Sequence, residues 1–354
     1  MLLLAGCGLG DAGDGGDRPS TSPVASDIDC ARQGKVPGSG SSAQENAMKN
    51  WITLYERACH PVRIAYNPLG SGAGVVQFMQ GSTAFGGTDS PVDSEENTPD
   101  ERVCTGGRVI NLPMVGGAIA LGFNVPGVDD LVLDAATIAK IFDSQITTWD
   151  DPAIRRQNPG VVLPSQPIRA VHRQDGSGTT QNFQAYLAGA APQVWQYPTE
   201  KSWQGQGGEA ANGSSAVAAA VAETSGSIGY FELSFAAAQR LKTVRVDTGA
   251  SEPVAANEET SSAGIAAAKV VGKGKDLTLA FDYRVSADGT YPIVLVSYEI
   301  VCDKGNAAAT LPALKSFLTY TASEEGQKPL ARIHYVPLPE SVAAEVRRVV
   351  STLS

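Results

Sequence analysis

Positive charge is scarce in this 354-residue chain. The sequence has 27 lysine and arginine residues against 37 aspartate and glutamate residues, which gives a formal net charge of −10 at pH 7. A nucleic-acid-binding protein needs a basic stripe or patch, and nothing in the sequence resembles one, so no nucleic-acid partner is predicted. An anionic ligand is not excluded, but local geometry rather than net charge would have to hold it.

Histidine is also scarce, and the common metal and nucleophile motifs are missing. The three histidines, His60, His172 and His334, are scattered, and no Cys-x-x-Cys or His-x-x-x-His spacing indicates zinc. There is no Gly-x-Ser-x-Gly elbow and no nucleotide-binding phosphate loop. Asp151 and Pro152 fit a helix N-cap followed by proline better than a catalytic pair. The sequence therefore predicts no metal, no cofactor and no catalytic residue.

Long apolar runs are lacking as well. No stretch approaches the ~18 apolar residues of a membrane span. Residues 4–7, Leu-Ala-Gly-Cys, match the lipobox of bacterial lipoproteins, where Cys7 would carry a diacylglycerol; the alternative is an incidental cysteine after a short apolar start. We therefore expect residues 1–7 to be a truncated signal peptide with its lipobox and residues 8–27 a flexible tether. The protein is expected outside the cytoplasm, held at the cell membrane by lipid alone.

With Cys7 assigned to lipid, four cysteines remain, Cys30, Cys59, Cys104 and Cys302. An even number in an exported chain indicates two disulfides, for which three pairings are possible. Cys30 and Cys59 flank one predicted helix, which favours that pair and leaves Cys104 with Cys302.

Three glycine- and serine-rich turns precede helical patterns, at residues 38–42 (GSGSS), 70–74 (GSGAG) and 176–179 (GSGT). The first N–H groups of a helix have no intrahelical partner and carry partial positive charge, and glycines let a ligand approach them closely. Helix capping by serine is the structural alternative, and Ser42 with Glu45 fits a capping box. Three such turns in one chain favour an anion site over capping alone.

Charged residues accompany these turns. Asp89 follows an apolar pair and two glycines, so it is predicted to lie at a strand end; an N-cap or Asx-turn is the alternative. Arg173 and Asp175 directly precede the third turn and share a side if the strand continues through them. Arginine can chelate an oxyanion with two N–H groups while a neighbouring aspartate orients the guanidinium. The alternative is an exposed ion pair, which would indicate no function.

Five motifs in order, LGSGAGV, FGGTDSPV, TTWDDPAI, HRQDGSGTT and GSIGYFELSFA, resemble the phosphate-binding protein of bacterial phosphate ABC transporters. The resemblance implies an α/β fold of the cluster II periplasmic-binding type, with two α/β domains joined by two hinge strands around a ligand cleft. Domain I would comprise residues 28–115 and 288–354, and domain II residues 116–287. The hinge strands would run near Val115 and Gly116 and through residues 291–302. Cys104 and Cys302 then fall in one domain, which supports their pairing.

The resemblance also implies a ligand set. Arg173 matches the family's anion-chelating arginine, Asp175 its salt-bridge partner, and Asp89 the acid that accepts a hydrogen bond from protonated phosphate. The first loop departs most from the family pattern, so that Ser41 is an alternative to Ser42. The residues that match the family's phosphate contacts are Ser42, Ala43, Ser71, Asp89, Arg173, Ser177, Gly178 and Thr179.

These patterns predict a monomeric extracytoplasmic receptor that binds inorganic phosphate and delivers it to a membrane permease, without catalysis. A buried carboxylate at Asp89 would accept the proton of phosphate and disfavour sulfate, a discrimination of roughly 10³ or more. The alternatives are a receptor for another oxyanion such as sulfate, an exported phosphate-ester hydrolase, and an adhesive lipoprotein that has lost the site.

Overall fold

The computed structural model describes residues 28–93 and 103–354. The predicted lipidation site Cys7 and the predicted tether lie outside these residues. The strands of the described residues are β1 (Lys35–Gly40), β2 (Arg63–Asn67), β3 (Phe85–Thr88), β4 (Val109–Asn124), β5 (Val132–Asp134), β6 (Arg169–Arg173), β7 (Glu209–Ala211), β8 (Ser227–Glu232), β9 (Lys242–Thr243), β10 (Arg245–Asp247), β11 (Lys269–Val270), β12 (Leu279–Ala280) and β13 (Val294–Cys302). The helices are α1 (Glu45–Ala58), α2 (Ser71–Met79), α3 (Ala135–Phe142), α4 (Pro152–Gln157), α5 (Gly178–Ala190), α6 (Gly213–Glu223), α7 (Leu233–Gln239), α8 (Glu258–Ala266), α9 (Leu311–Thr321), α10 (Glu324–Gln327) and α11 (Glu340–Ser351).

The main sheet joins two parallel groups through an antiparallel centre. Its order in the described chain is β2-β1-β3-β13-β4-β8-β6-β7, with β9 added beside β4. Strands β1, β2 and β3 run parallel, as do β6, β7 and β8, whereas β13 and β4 run antiparallel to their neighbours. Each parallel group therefore gathers the carboxyl ends of its strands at one edge, where ligands bind in open α/β sheets.

Strand β4 connects the two groups. Its first part, from Val109 to Ala118, pairs with β13, and its last part, from Ile119 to Asn124, pairs with β8. The pairing with β13 shifts between Ser297 and Tyr298, which lie opposite Val115 and Pro113. Proline cannot donate to a strand ladder, and a bulge beside it is the usual accommodation.

Two large clusters of buried apolar side chains lie on either side of this centre. One is built mainly from residues 36–115 and 301–353, with Trp51, Phe317 and Tyr335 among its largest members. The other is built mainly from residues 118–296, with Trp149 and Trp195 buried in it. The chain thus forms a mixed α/β protein in which each parallel group has its own core.

Both disulfides join the cysteines that the sequence analysis paired. Cys30 is bonded to Cys59 across α1, and Cys104 is bonded to Cys302 at the end of β13. Asp151 caps α4, accepting a hydrogen bond from the Ala153 N–H, with Pro152 in the first turn as predicted. None of the helices in residues 28–93 and 103–354 is long and apolar enough to cross a membrane.

Candidate functional site

The structure gathers the predicted site residues at the facing edges of the two parallel strand groups. One edge supplies the loop after β1, the start of α2 and the residue after β3; the other supplies the end of β6 and the start of α5. Hydrogen bonds and close contacts link the following residues into one largely buried cluster: Ser42, Ala43, Ser71, Asp89, Arg173, Asp175, Ser177, Gly178 and Thr179.

Asp89 lies directly after β3, at the strand end that the sequence predicted, and is only 3% exposed. Its Oδ1 accepts hydrogen bonds from the hydroxyls of Ser41 and Ser297, the latter at 2.7 Å. Its Oδ2 accepts from the Thr179 hydroxyl at 2.9 Å. These partners are all neutral hydroxyls, and no cation is in direct contact with the Asp89 carboxylate among the described residues.

Arg173 ends β6 and is 2% exposed. Its Nε donates to Asp175 Oδ1 at 2.7 Å, its Nη2 donates to Asp175 Oδ2, and its Nη1 donates to the Ser214 hydroxyl at 3.3 Å. A guanidinium has five N–H groups, so two remain without a partner in the described chain. Those two belong to Nη1 and Nη2, the pair that can chelate an oxyanion.

Asp175 fixes that guanidinium. Burial alone would raise the pKa of the Asp175 carboxyl, but the hydrogen bonds and charge of Arg173, with the Gly213 N–H at 2.8 Å, outweigh it. The pKa of Asp175 therefore lies below its ordinary value. The carboxylate stays ionised and paired, and its acceptor capacity is directed at Arg173 and Gly213 rather than at a ligand.

Three serine hydroxyls of the site accept hydrogen bonds from backbone N–H groups. Ser71 accepts from Asp89 at 3.2 Å, Ser177 from Thr180 at 3.1 Å as the N-cap of α5, and Ser42 from Ser214 at 3.0 Å. A hydroxyl that accepts in this way still has its own O–H to donate. Ser71 and Ser177 can therefore each offer a donor to an anion. Ser42 can do so when the Ser214 hydroxyl, 3.3 Å away, is the donor of the pair that the two hydroxyls form.

The start of α5 adds backbone donors. No partner for the N–H groups of Gly178 and Thr179 occurs within residues 28–93 and 103–354. A Cβ at Gly178 would lie 2.8 Å from the Asp89 Cβ and 2.9 Å from the Ser71 hydroxyl, so only glycine allows this close approach. The helix terminus and its partial positive charge are thereby brought against the first edge of the site.

The first loop differs from two expectations. The capping box of Ser42 and Glu45 is not formed, because α1 begins at Glu45 with Gln44 as its N-cap and the Ser42 side chain turns to Ser214. The Ala43 N–H, predicted to face the ligand, donates to the Ser41 hydroxyl at 3.0 Å. Ser41, the alternative in this loop, is the serine that contacts Asp89.

Two site residues were missed from the sequence. Ser214 lies at the start of α6 in the stretch Asn212-Gly213-Ser214, and the same glycine-serine signal as in the other turns could have found it. Ser297 lies inside β13 among apolar residues, where no local pattern marks it.

Two further buried acids lie near the site. Glu299 on β13 is 1% exposed, and neither of its carboxylate oxygens has a hydrogen-bond partner in the described chain; burial raises its pKa well above the ordinary value. Glu232, at the end of β8, accepts from the Ser234 N–H, and burial raises its pKa to about 8. The charge of Asp89 adds to both shifts.

In chemical terms the arrangement is that of an anion-binding protein, with donors directed from both edges and one carboxylate, Asp89, on the first. A model of the PBP superfamily domain matches residues 25–325. The chain is 41% identical to the phosphate-binding protein PstS 3 of Mycobacterium leprae, over 99% of this chain and 95% of the relative. It is 32% identical to the phosphate-binding protein PstS of Methanocaldococcus jannaschii, over 97% and 90% of the two chains. The chain belongs to the PBP superfamily and, within it, to the PstS family of phosphate-binding proteins.

Solved structures agree on the fold. A phosphate-binding protein from Stenotrophomonas maltophilia is 20% identical with a TM-score of 0.69, covering 89% of this chain and 93% of that one. A putative phosphate ABC transporter substrate-binding protein from Clostridium perfringens is 21% identical with a TM-score of 0.63, covering 86% and 100%. The predicted periplasmic-binding-type α/β fold is confirmed.

Proposed function

We propose that this chain is an extracytoplasmic receptor that binds inorganic phosphate and delivers it to the permease of an ABC transporter. The observation that carries the proposal is that one site contains both a guanidinium whose donors are not all used by the described residues and a carboxylate that accepts. Arg173 has two N–H groups without a partner in the described chain, whereas Asp89 on the facing edge offers a carboxylate. A ligand that suits both must be an oxyanion that also carries a proton.

Phosphate meets that requirement and sulfate does not. Near neutral pH phosphate keeps at least one proton, which Asp89 can accept, while fully ionised sulfate would face the carboxylate with acceptors alone. Two unpaired acceptors buried face to face cost several kcal/mol, so we expect roughly 10³-fold discrimination or more. The phosphate contacts would come from Ser42, Ala43, Ser71, Asp89, Arg173, Ser177, Gly178 and Thr179, with Asp175 behind Arg173. The Ala43 N–H would have to exchange its present partner, the Ser41 hydroxyl, for phosphate.

Two lobes would close on the anion, domain I of residues 28–115 and 288–354 and domain II of residues 116–287. The two apolar clusters support most of this division. Leu277 of the proposed domain II packs with the first cluster, and residues 291–298 of β13 and the turn before it, with Ala43 and Val336, pack with the second. Contacts between the proposed domains include the Gly72 N–H to the Gly176 carbonyl at 2.8 Å and Asn182 Nδ2 to the Asp89 carbonyl at 2.7 Å. Such contacts are what a closed receptor would make around its ligand.

The chain is a binding protein rather than an enzyme, as the names of its relatives indicate. We further propose that it acts as a monomer, with Cys7 lipidated and residues 8–27 as the tether to the membrane. Radiolabelled palmitate incorporation into the full chain, lost in Cys7→Ala, would support the anchor; equal labelling of both would contradict it.

Titration calorimetry on ligand-stripped protein near pH 7 tests the function. We expect tight binding of phosphate and negligible heat from sulfate. Comparable heat from sulfate would make the protein a receptor for another oxyanion. No heat from either, together with turnover of a chromogenic phosphate ester, would favour the hydrolase alternative.

A further inference from the structure

Ser297 lies on β13, one of the two strands at the centre of the sheet, and is fully buried. The pairing of β13 with β4 shifts at this residue: Ser297 lies opposite Val115, whereas Tyr298 lies opposite Pro113. Bulges of this kind re-aim side chains near functional sites. Here the Ser297 hydroxyl reaches Asp89 Oδ1 at 2.7 Å, across more than 200 residues of sequence.

Both backbone polar groups of Asp89 are hydrogen-bonded to side chains. Its N–H donates to the Ser71 hydroxyl, and its carbonyl accepts from Asn182 Nδ2 at 2.7 Å. The carboxylate can still rotate about its own side-chain bonds. The hydroxyls that bond it therefore decide which oxygen faces which neighbour.

The two carboxylate oxygens are unequally occupied. Each has roughly two acceptor positions. Oδ1 accepts from both Ser41 and Ser297, which fills it, whereas Oδ2 accepts from Thr179 alone in the described chain. One acceptor position is left, on Oδ2, on the side of the α5 terminus that supplies the backbone donors.

We propose that Ser297 is a positioning residue for ligand selection: with Ser41 it fills Oδ1 and leaves Oδ2 to accept the proton of the bound anion. This inference rests on the proposed phosphate function. Without the Ser297 donor, the Asp89 carboxylate can turn about its side-chain bonds, and Oδ2 is no longer held toward the proton of the bound anion. Ser297 thus sets selectivity without touching the ligand.

The test compares Ser297→Ala with Ser39→Ala in titrations of the full chain with phosphate and with sulfate at pH 7. Ser39 is a matched control, because its hydroxyl is buried on β1, two residues before Ser41, and has no hydrogen-bond partner in the described chain. Ser297→Ala should weaken phosphate about tenfold and leave sulfate unchanged or tighter, so that the ratio of the two dissociation constants falls at least tenfold. Ser39→Ala should keep the wild-type ratio.

Equal weakening of both anions in Ser297→Ala would reduce Ser297 to a structural contact and overturn the inference. An unchanged phosphate affinity would overturn it too. Failure of the unmutated protein to bind phosphate would instead overturn the proposed function. Thermal unfolding of both variants shows that any change in ratio is measured on folded protein.

Discussion

Two aspartates of the site, the buried Asp89 after β3 and the part-buried Asp175 after β6, have the same side chain and opposite surroundings. Asp89 is bonded by three neutral hydroxyls and keeps one acceptor position, whereas Asp175 is bonded by the Arg173 guanidinium and a backbone N–H. The role of each carboxylate is therefore set by its hydrogen-bond partners and not by how deeply it is buried. A carboxylate paired with a cation holds that cation in place. A carboxylate bonded only by hydroxyls keeps the capacity to accept a hydrogen bond from a protonated ligand.

The largest effect is expected from Arg173→Met, which removes both hydrogen bonds between Arg173 and Asp175. It removes the two chelating N–H groups and leaves the part-buried Asp175 carboxylate without its cation. Phosphate affinity should fall more than about 10³-fold, and the free energy of unfolding by roughly 3–5 kcal/mol. Calorimetry and urea unfolding measure these changes.

Arg169→Met is the matched control for that variant. Arg169 lies on the same strand, but it is half-exposed and pairs with the exposed Glu209. We expect at most about 1 kcal/mol in stability and no change in phosphate binding. Phosphate binding retained by Arg173→Met would contradict the chelating role.

Asp89→Asn tests the difference between Asp89 and Asp175, because it replaces a carboxylate that only accepts hydrogen bonds with an amide that can also donate. Phosphate should weaken and sulfate should gain, so that their affinity ratio falls roughly 10²- to 10³-fold. Asp175→Asn is the counterpart, and it should weaken both anions alike because it loosens Arg173. A similar loss of selectivity in both variants would mean that the two aspartates do not differ in role.

Glu232→Gln should have the smallest effect on phosphate binding, yet it reveals a third kind of buried acid. Its raised pKa means that the folded state keeps a proton that the unfolded chain releases above the ordinary value. Stability therefore falls as pH rises toward about 8, by on the order of 5 kcal/mol from this group. Glu232→Gln should unfold at a higher temperature than wild type at pH 8 and differ little at pH 5.

Glu209→Gln removes a similar charge from an exposed position and serves as the control for Glu232. Its unfolding temperature should follow the wild type at both pH values. A pH dependence in Glu232→Gln equal to that of the wild type would show that Glu232 is not the group responsible.

The local features could be predicted from short stretches of sequence, and the family from five motifs in order. Strands running into glycine-serine turns, the N-cap at Asp151, the position of Asp89 at a strand end and the Cys30–Cys59 pair follow from short-range patterns. These patterns depend on backbone preferences and on side-chain types at fixed spacing, which the sequence states directly.

The identity of the hydroxyls that donate to the Asp89 carboxylate depends on the tertiary structure. Ser41 rather than Ser42 contacts Asp89, because Gly40 has a positive φ and its backbone packs against Gly87, which sets the direction of the following loop. Ser297 reaches Asp89 from a strand distant in sequence, at a shift in register. Such contacts depend on where separate elements come to rest against each other, and no local pattern encodes that distance.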